Sequence, residues 1–371
     1  ARGMTDLLPE GFRDRLPPHA EAMATLARAV LDTFRSHGYD RAAPPLAEYD
    51  SVLARRSQSG AGRNWLRFPD PLSQRTLAIR SDMTVQIGRI AGQRLAHAPR
   101  PLRLSYHGPV LKLRATQLQP DRELTQLGAE LIGSDSVAAA SEIVAIAVEA
   151  LATAGVKGIT VDLTLPDLVE TLAEEALPLP LETIDAVRAE LDMKDAGSLR
   201  ALGAAAYLPL IDVTGPFDVA IERLAAIDAG GALASRIAAL RDIAAAMPDT
   251  VRVTLDPTER HGFEYQSWFG FTLFADGHVG ALGRGGTYRI ARADGRYEAA
   301  TGVSLYPDPL IDATAVAGSG PLLFLPLGHD PAAAADLRRT GWRTVAALSI
   351  DDDAALLGCT HQLLVGGPAE L

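Results

Sequence analysis

A chain of 371 residues, 47% apolar and 22% charged, is long enough to bury a sizeable core and to divide into two or three domains. A formal net charge of -11 repels a phosphate backbone and disfavours nucleic acid as a partner, and the single Cys359 excludes an internal disulfide and a multi-cysteine zinc site. No apolar run reaches the roughly 20 residues of a membrane span, the N-terminus lacks the basic-then-apolar pattern of a secretory signal, and the eight histidines show no ligand spacing; a cytoplasmic chain without metal, cofactor or membrane partner is expected.

From His19 to His37, Met23, Leu26, Ala27, Val30, Leu31 and Phe34 recur at three and four, which predicts a helix with one buried face. Gly38 stops it, and Pro44 and Pro45 force an extended segment. The pieces WLRFPD, TLAIRSD, LRLSYHGPVLKLR and ELTQLGAELIG read as strands between turn residues. The stretch from Ser134 to Gly155 returns to helical period, with Ser134 or Asp135 as N-cap and Gly155 as stop.

Residues 165–248 are predicted to be an inserted helical region without chemistry of its own. The segment from Val251 to Gly286 reads as a strand, a loop and a hairpin. After Pro321, LLFLPLG, PAAAADLRRTGW, RTVAALSI and HQLLVGG alternate strand, helix, strand and strand, a small α/β unit of residues 321–371 appended to a core of residues 1–320.

TQLGAELIG, Thr125 to Gly133, is the stretch with the clearest chemistry. As a strand it puts Leu127, Ala129 and Leu131 on one face and Gln126, Gly128 and Glu130 on the other. Gly128 then leaves an open floor between an amide and a carboxylate, suited to a small ammonium ligand; the alternative is a plain solvated strand face. Asp82 in AIRSDMT offers a second carboxylate, or a cap. Phe263, Tyr265, Trp268, Phe269, Phe271 and Phe274, near Arg260, His261 and Glu264, suit an aromatic zwitterion as well as they suit core packing. GRGGTYR, Gly283 to Arg289, lacks the spacing of a phosphate loop and reads as a tight turn between strands.

In order and spacing, GFRDRLPPHA, GYDRAAPPLAEYD, AIRSDMT, YHGPVLKLRATQLQPDRELTQLGAELIG and GFEYQSWFGFTLF resemble the core of the class II histidyl-tRNA synthetase family, over most of residues 10 to 305. The resemblance implies an α+β fold, an antiparallel sheet flanked by helices, dimerised through the first helix and the Pro44-Pro45 strand. It also implies a histidine site in which Asp82, Gln126 and Glu130 hold the α-amino group, with Thr84, His261, Tyr265 and Tyr288 around it.

Departures from that pattern redirect the function. GPVLK places Lys112 where active members carry an arginine for the ATP α-phosphate, although lysine occurs only at positions 112, 157 and 194, and a lysine cannot form the bidentate fork. TGVSLYPDPLI lacks the final arginine of the class and carries Pro307 and Pro309. Losing one such cation costs roughly 10²- to 10³-fold in rate. His261 stands where the histidine-specific pattern has arginine, and Gln266 where it has its second tyrosine. The fifty or so residues after Pro321 are about half of what the family's anticodon-binding domain needs.

A synthetase-like core without these grips resembles the regulatory-subunit family of ATP phosphoribosyltransferase. That likeness implies no catalysis by this chain and a degenerate nucleotide site at Lys112. It further implies a short-form ATP phosphoribosyltransferase catalytic subunit as partner, self-association within a hetero-oligomer, and L-histidine as effector. A divergent histidyl-tRNA synthetase and an amino-acid-binding module with another partner are the alternatives.

Overall fold

The apolar spacing of the first helix is realised as α1 (His19–Ser36), which buries Met23, Leu26, Ala27, Val30, Thr33 and Phe34. Gly38 follows it with φ +81°, a conformation that costs glycine little. The computed structural model describes residues 8–56, 65–115, 120–260, 266–292, 294–313 and 320–371. The chain divides into one unit of Ala1–Arg15 with Met23–Thr314 and another of Leu16–Ala22 with Ala315–Leu371.

Five long strands carry the first unit. A short helix, α2 (Thr84–Arg89), precedes β1 (Leu102–Leu111) and β2 (Glu123–Ile132); then come the helix α3 (Val137–Thr153) and the strands β3 (Gln266–Ala275), β4 (Gly283–Ala291) and β5 (Tyr297–Leu305). They lie in the order β1-β2-β5-β4-β3, antiparallel throughout. Asp40–Arg41 extends the sheet beside β1, and Ile159–Thr164, Arg252–Leu255 and Gly215–Pro216 extend it beyond β3 to nine strands. Helices between residues 168 and 245 cover the inserted region, as its periodicity predicts.

The two faces of the sheet differ because β2 alternates. Leu127, Ala129 and Leu131 are buried on the face that α3 covers. Ser136 caps α3, its Oγ accepting from Ala139 N at 3.2 Å, one or two residues later than the sequence suggests. The carbonyls of Ser134 and Asp135 are already held by Thr301 Oγ1 and Trp268 Nε1, so the helix begins after them. On the other face α2 lies over Leu104, Tyr106, Val110, Ile132 and Ile290 with Met83 and Ile87, and Gly88 is in contact range of Ile290. Each such apolar side chain removed from water contributes about 1.5–3 kcal/mol before entropy is counted.

GRGGTYR is strand, not turn: it forms the first seven residues of β4. Its glycines serve close approach across the sheet. A Cβ at Gly285 would run into Gly302 O and the Phe271 ring, and one at Gly286, whose φ is +152°, into Phe269 O. The glycines that suggest a tight turn in the sequence mark crowding within the sheet.

In the second unit the strand, helix, strand and strand read from sequence are Leu322–Leu325, Pro331–Arg339, Arg343–Ala346 and His361–Leu364, and the three strands pair in parallel. A fourth strand, Gly367–Glu370, turns back antiparallel after Gly366 and was not foreseen. Leu323, Leu325 and Ala334 are its small core.

Arg80 pins the proline-rich entry of the first unit. Its Nη1 donates to Pro44 O at 3.0 Å and its Nε to Pro109 O at 2.8 Å, carbonyls in segments where proline removes the backbone donor. Arg80→Met keeps the buried stem and removes those donors. Urea denaturation is expected to show a loss of about 2–3 kcal/mol, and an unchanged midpoint would refute the assignment.

Candidate functional site

Cross-strand register brings the polar residues of four strands and one helix start together. Glu130 on β2 lies opposite Gly302 on β5, which lies opposite Gly286 on β4. In the next row Tyr106 on β1, Gly128, Ser304 and Arg284 stand side by side. Tyr288 follows Gly286 on the same face. Gly302 is obligatory here, because a Cβ built on it would fall on the Glu130 carboxylate.

The amide and the carboxylate of the strand are held as much as holding. Gln126 Oε1 accepts from Met83 N at 2.8 Å, and its Nε2 donates to Asp82 Oδ1 at 2.8 Å and to Ser304 Oγ at 3.0 Å. Asp82 Oδ1 also accepts from Thr84 N at 2.9 Å, anchoring the start of α2. Glu130, 1% exposed, accepts from the Tyr106 hydroxyl at 3.0 Å and from the Tyr288 hydroxyl at 2.5 Å. Thr84 Oγ1 and Ser304 Oγ complete the cluster around Tyr106 at 3.2 and 3.0 Å. This is a buried network with every named member partnered.

One expectation fails at this point. Gly128 does not leave an open floor, since the Tyr106 ring and hydroxyl lie where its Cβ would be. Tyr106 and Ser304 were missed as members of the cluster. The signal for Tyr106 was present, because an aromatic directly across from a strand glycine covers it, but it needed the register of two strands. What space remains is a cavity of about 20 Å³, lined by Thr84, Glu130, Gln266, Arg284, Tyr288 and Ser304 among others. That is about one water site, so a larger ligand requires side chains of the lining to move.

The aromatic run falls differently from the zwitterion reading. Phe269 and Phe271 are core residues, stacked with centroids 5.8 Å apart, and Phe271 lies against Gly285 on the face away from Glu130. Trp268 is buried with its Nε1 bonded to Asp135 O at 2.8 Å. These three rings are packed in the core, across a register irregularity between Gln266 and Gly270. His261 and Tyr265, with Phe263 and Glu264, lie outside the described residues.

Electrostatics follow burial. Desolvation pushes the Glu130 carboxyl up to about 8, against the pull of the Tyr288 and Tyr106 hydroxyls. Tyr106 is raised by burial and by the charges of Glu130 and Asp82. Lys112 is half-buried, its Nζ donates to Ser81 O at 2.9 Å, and burial lowers its affinity for a proton while Asp82 opposes that. Where the class has its last arginine, Tyr306 and Pro307 lead into a short helix, Asp308–Ala313, whose Asp308 accepts from Thr125 N at 3.0 Å and pairs with Arg15. No cluster able to hold a metal occurs among the described residues, and no described helix is long and apolar enough to cross a membrane.

Sheet, flanking helices and a polar cluster built on them define a class II synthetase-like core. The histidyl-tRNA synthetase family model matches residues 11–310. The chain is 40% identical to the ATP phosphoribosyltransferase regulatory subunit of Paramagnetospirillum magneticum, over 98% of each chain, and 40% identical to that of Rhodospirillum centenum, over 97% of this chain and 95% of the other. Among solved structures it resembles an ATP phosphoribosyltransferase regulatory subunit/histidyl-tRNA synthetase from Bacillus halodurans, with TM-score 0.81, 22% identity and 96% and 97% of the two chains covered. It also resembles the histidyl-tRNA synthetase of Nostoc sp. PCC 7120, with TM-score 0.78, 14% identity and 98% and 92% covered. The chain belongs to the histidyl-tRNA synthetase family and, within it, to the ATP phosphoribosyltransferase regulatory subunits. Its relatives are named as regulatory subunits, in agreement with the expectation of a non-catalytic chain.

Glu130 predicts a pH dependence. A carboxyl raised from 4.5 to about 8 binds its proton preferentially in the folded state, so its contribution to stability is lost as pH rises between those values. Glu130→Gln, neutral and nearly isosteric, is expected to flatten that part of the stability profile and to gain on the wild type at the alkaline end. Parallel wild-type and variant profiles in thermal melts would contradict the burial argument.

Proposed function

We propose that this chain is the non-catalytic partner that a short-form ATP phosphoribosyltransferase catalytic subunit needs for activity in the first step of histidine biosynthesis, and that it mediates feedback inhibition by L-histidine. It works as a dimer within a cytoplasmic hetero-oligomer. The observation that supports this reading is the contrast within one core. The cluster of Asp82, Thr84, Gln126, Glu130 and Tyr288 is hydrogen-bonded together and buried except for the half-buried Asp82, whereas Lys112 is spent on Ser81 O and Tyr306-Pro307 stands where the class has its last arginine. His261 and Tyr265 are assigned to the same histidine site from their place in the family pattern.

The chemistry divides accordingly. A buried carboxylate facing an ammonium gains more than it does facing water, so Glu130 is suited to an α-amino group. Adenylation needs cations where phosphate charge develops, and a lysine bonded to a backbone carbonyl is not free to supply one. A site that binds without reacting acts by differential affinity for two states of an assembly, with couplings of about 1–3 kcal/mol, or 5- to 150-fold.

Mixing the chain with a short-form catalytic subunit is expected to give a co-eluting complex, to switch on phosphoribosyl transfer to ATP, and to make that activity sensitive to L-histidine. Binding is also expected to release a proton near neutral pH, because an ammonium beside Glu130 favours its charged form, and calorimetry in buffers of different ionisation enthalpy measures this. Histidine-dependent ATP–pyrophosphate exchange by the purified chain would instead make it a divergent histidyl-tRNA synthetase.

A further inference from the structure

Arg284 is the residue that the site as described does not use. It stands on β4 opposite Ser304 and one row from the pair of glycines, Gly286 and Gly302, that separates it from Glu130. Its Nε is buried without a hydrogen-bond partner, and no ion pair to it occurs among the described residues. A buried guanidinium N–H left this way is costly, since it can only donate. Burial accordingly weakens its hold on its proton, with only the Tyr306 phenol opposing. Asp162, in the same row across β3, accepts from Thr254 Oγ1.

The cavity has the polarity of a zwitterion. Glu130 and Arg284 line it from opposite sides of a floor made by Gly286 and Gly302, where a Cβ would strike Phe269 O or the Glu130 carboxylate. An α-amino acid carries an ammonium and a carboxylate two bonds apart from one carbon, and each would meet its opposite here. The family pattern's arginines are replaced by Lys112 and His261, and its final arginine is absent from TGVSLYPDPLI, so a guanidinium on β4 supplies a planar fork that those positions lack.

We propose that Arg284 is a specificity-determining residue that binds the α-carboxylate of a free amino acid whose ammonium sits at Glu130. The site therefore reads the uncoupled amino acid and rejects forms whose carboxyl is missing or esterified. This rests on the histidine-binding reading above and deepens it.

Calorimetry on the full chain, with L-histidine, histidinol and L-histidine methyl ester against wild type, Arg284→Gln and Arg284→Lys, tests it. Wild type is expected to bind L-histidine about 10- to 100-fold more tightly than histidinol or the ester, the usual range for one charge-assisted pair. Arg284→Gln is expected to lose that margin for L-histidine while leaving histidinol affinity unchanged, and Arg284→Lys to recover part of it. Thermal melts establish that each variant is folded. Equal binding of L-histidine and histidinol by wild type, or an Arg284→Gln variant that binds L-histidine as wild type does or weakens all three ligands alike, overturns the carboxylate assignment while histidine binding stands. Absence of heat from all three ligands with wild type overturns the histidine site itself and this inference with it. Loss of ATP binding in Arg284→Gln, with amino-acid binding intact, would make the guanidinium a phosphate grip and also overturn the proposal.

Discussion

A carboxylate at 1% exposure in the middle of a nine-stranded sheet is the constraint around which the first unit is arranged. Burying Glu130 is unfavourable unless its oxygens are satisfied, and two tyrosine hydroxyls from β1 and β4 satisfy them. Those phenols reach it only because the intervening positions are glycine. Gly302 leaves room for the carboxylate and Gly128 for the Tyr106 ring. Replacing either glycine by any residue with a Cβ forces the network apart. The glycine pattern and the polar cluster are thus one feature seen from backbone and side chain.

Satisfaction by tyrosines differs from satisfaction by a cation. A phenol donates a hydrogen bond but brings no positive charge, so desolvation outweighs it and pushes the Glu130 carboxyl up to about 8. A lysine or arginine in the same place would have closed the site as an internal ion pair. Asp82 is treated in the same manner, engaged by the Gln126 amide and a backbone N–H. Asp82 and Glu130 are thus engaged by neutral donors: the Gln126 amide, a backbone N–H and two phenols.

Several cations of the first unit are engaged by the chain itself. Lys112 is bound to a backbone carbonyl, Arg80 braces the proline segments, and Arg15 with Arg13 ties the N-terminal stretch to Asp308 and Asp312. A fold shared with histidyl-tRNA synthetases carries a chain grouped with regulatory subunits, since a fold by itself does not fix function.

Local pattern was enough for much of this. Period 3.6 in the first helix and in the stretch after Ser136, period 2 through Gln126 to Ile132, and the proline stops are properties of neighbouring residues, so the elements and the two faces of β2 were legible. The resemblance in AIRSDMT and TQLGAELIG grouped Asp82, Gln126 and Glu130; Gln126 and Glu130 share β2, and a hydrogen bond from Gln126 joins Asp82, at the start of α2, to them. Gly128 as a covered position, GRGGTYR as strand, Phe269 and Phe271 as core, and Ser304 and Arg284 as neighbours of the site were not legible. Each depends on which strand lies beside which, over separations of 20 to 200 residues, as in the Ser304 to Gln126 bond. The sequence by itself determined where chain direction, period and charge change; only the tertiary structure decided which side chains share a face, because pairing register is a relation between distant segments that no local propensity encodes.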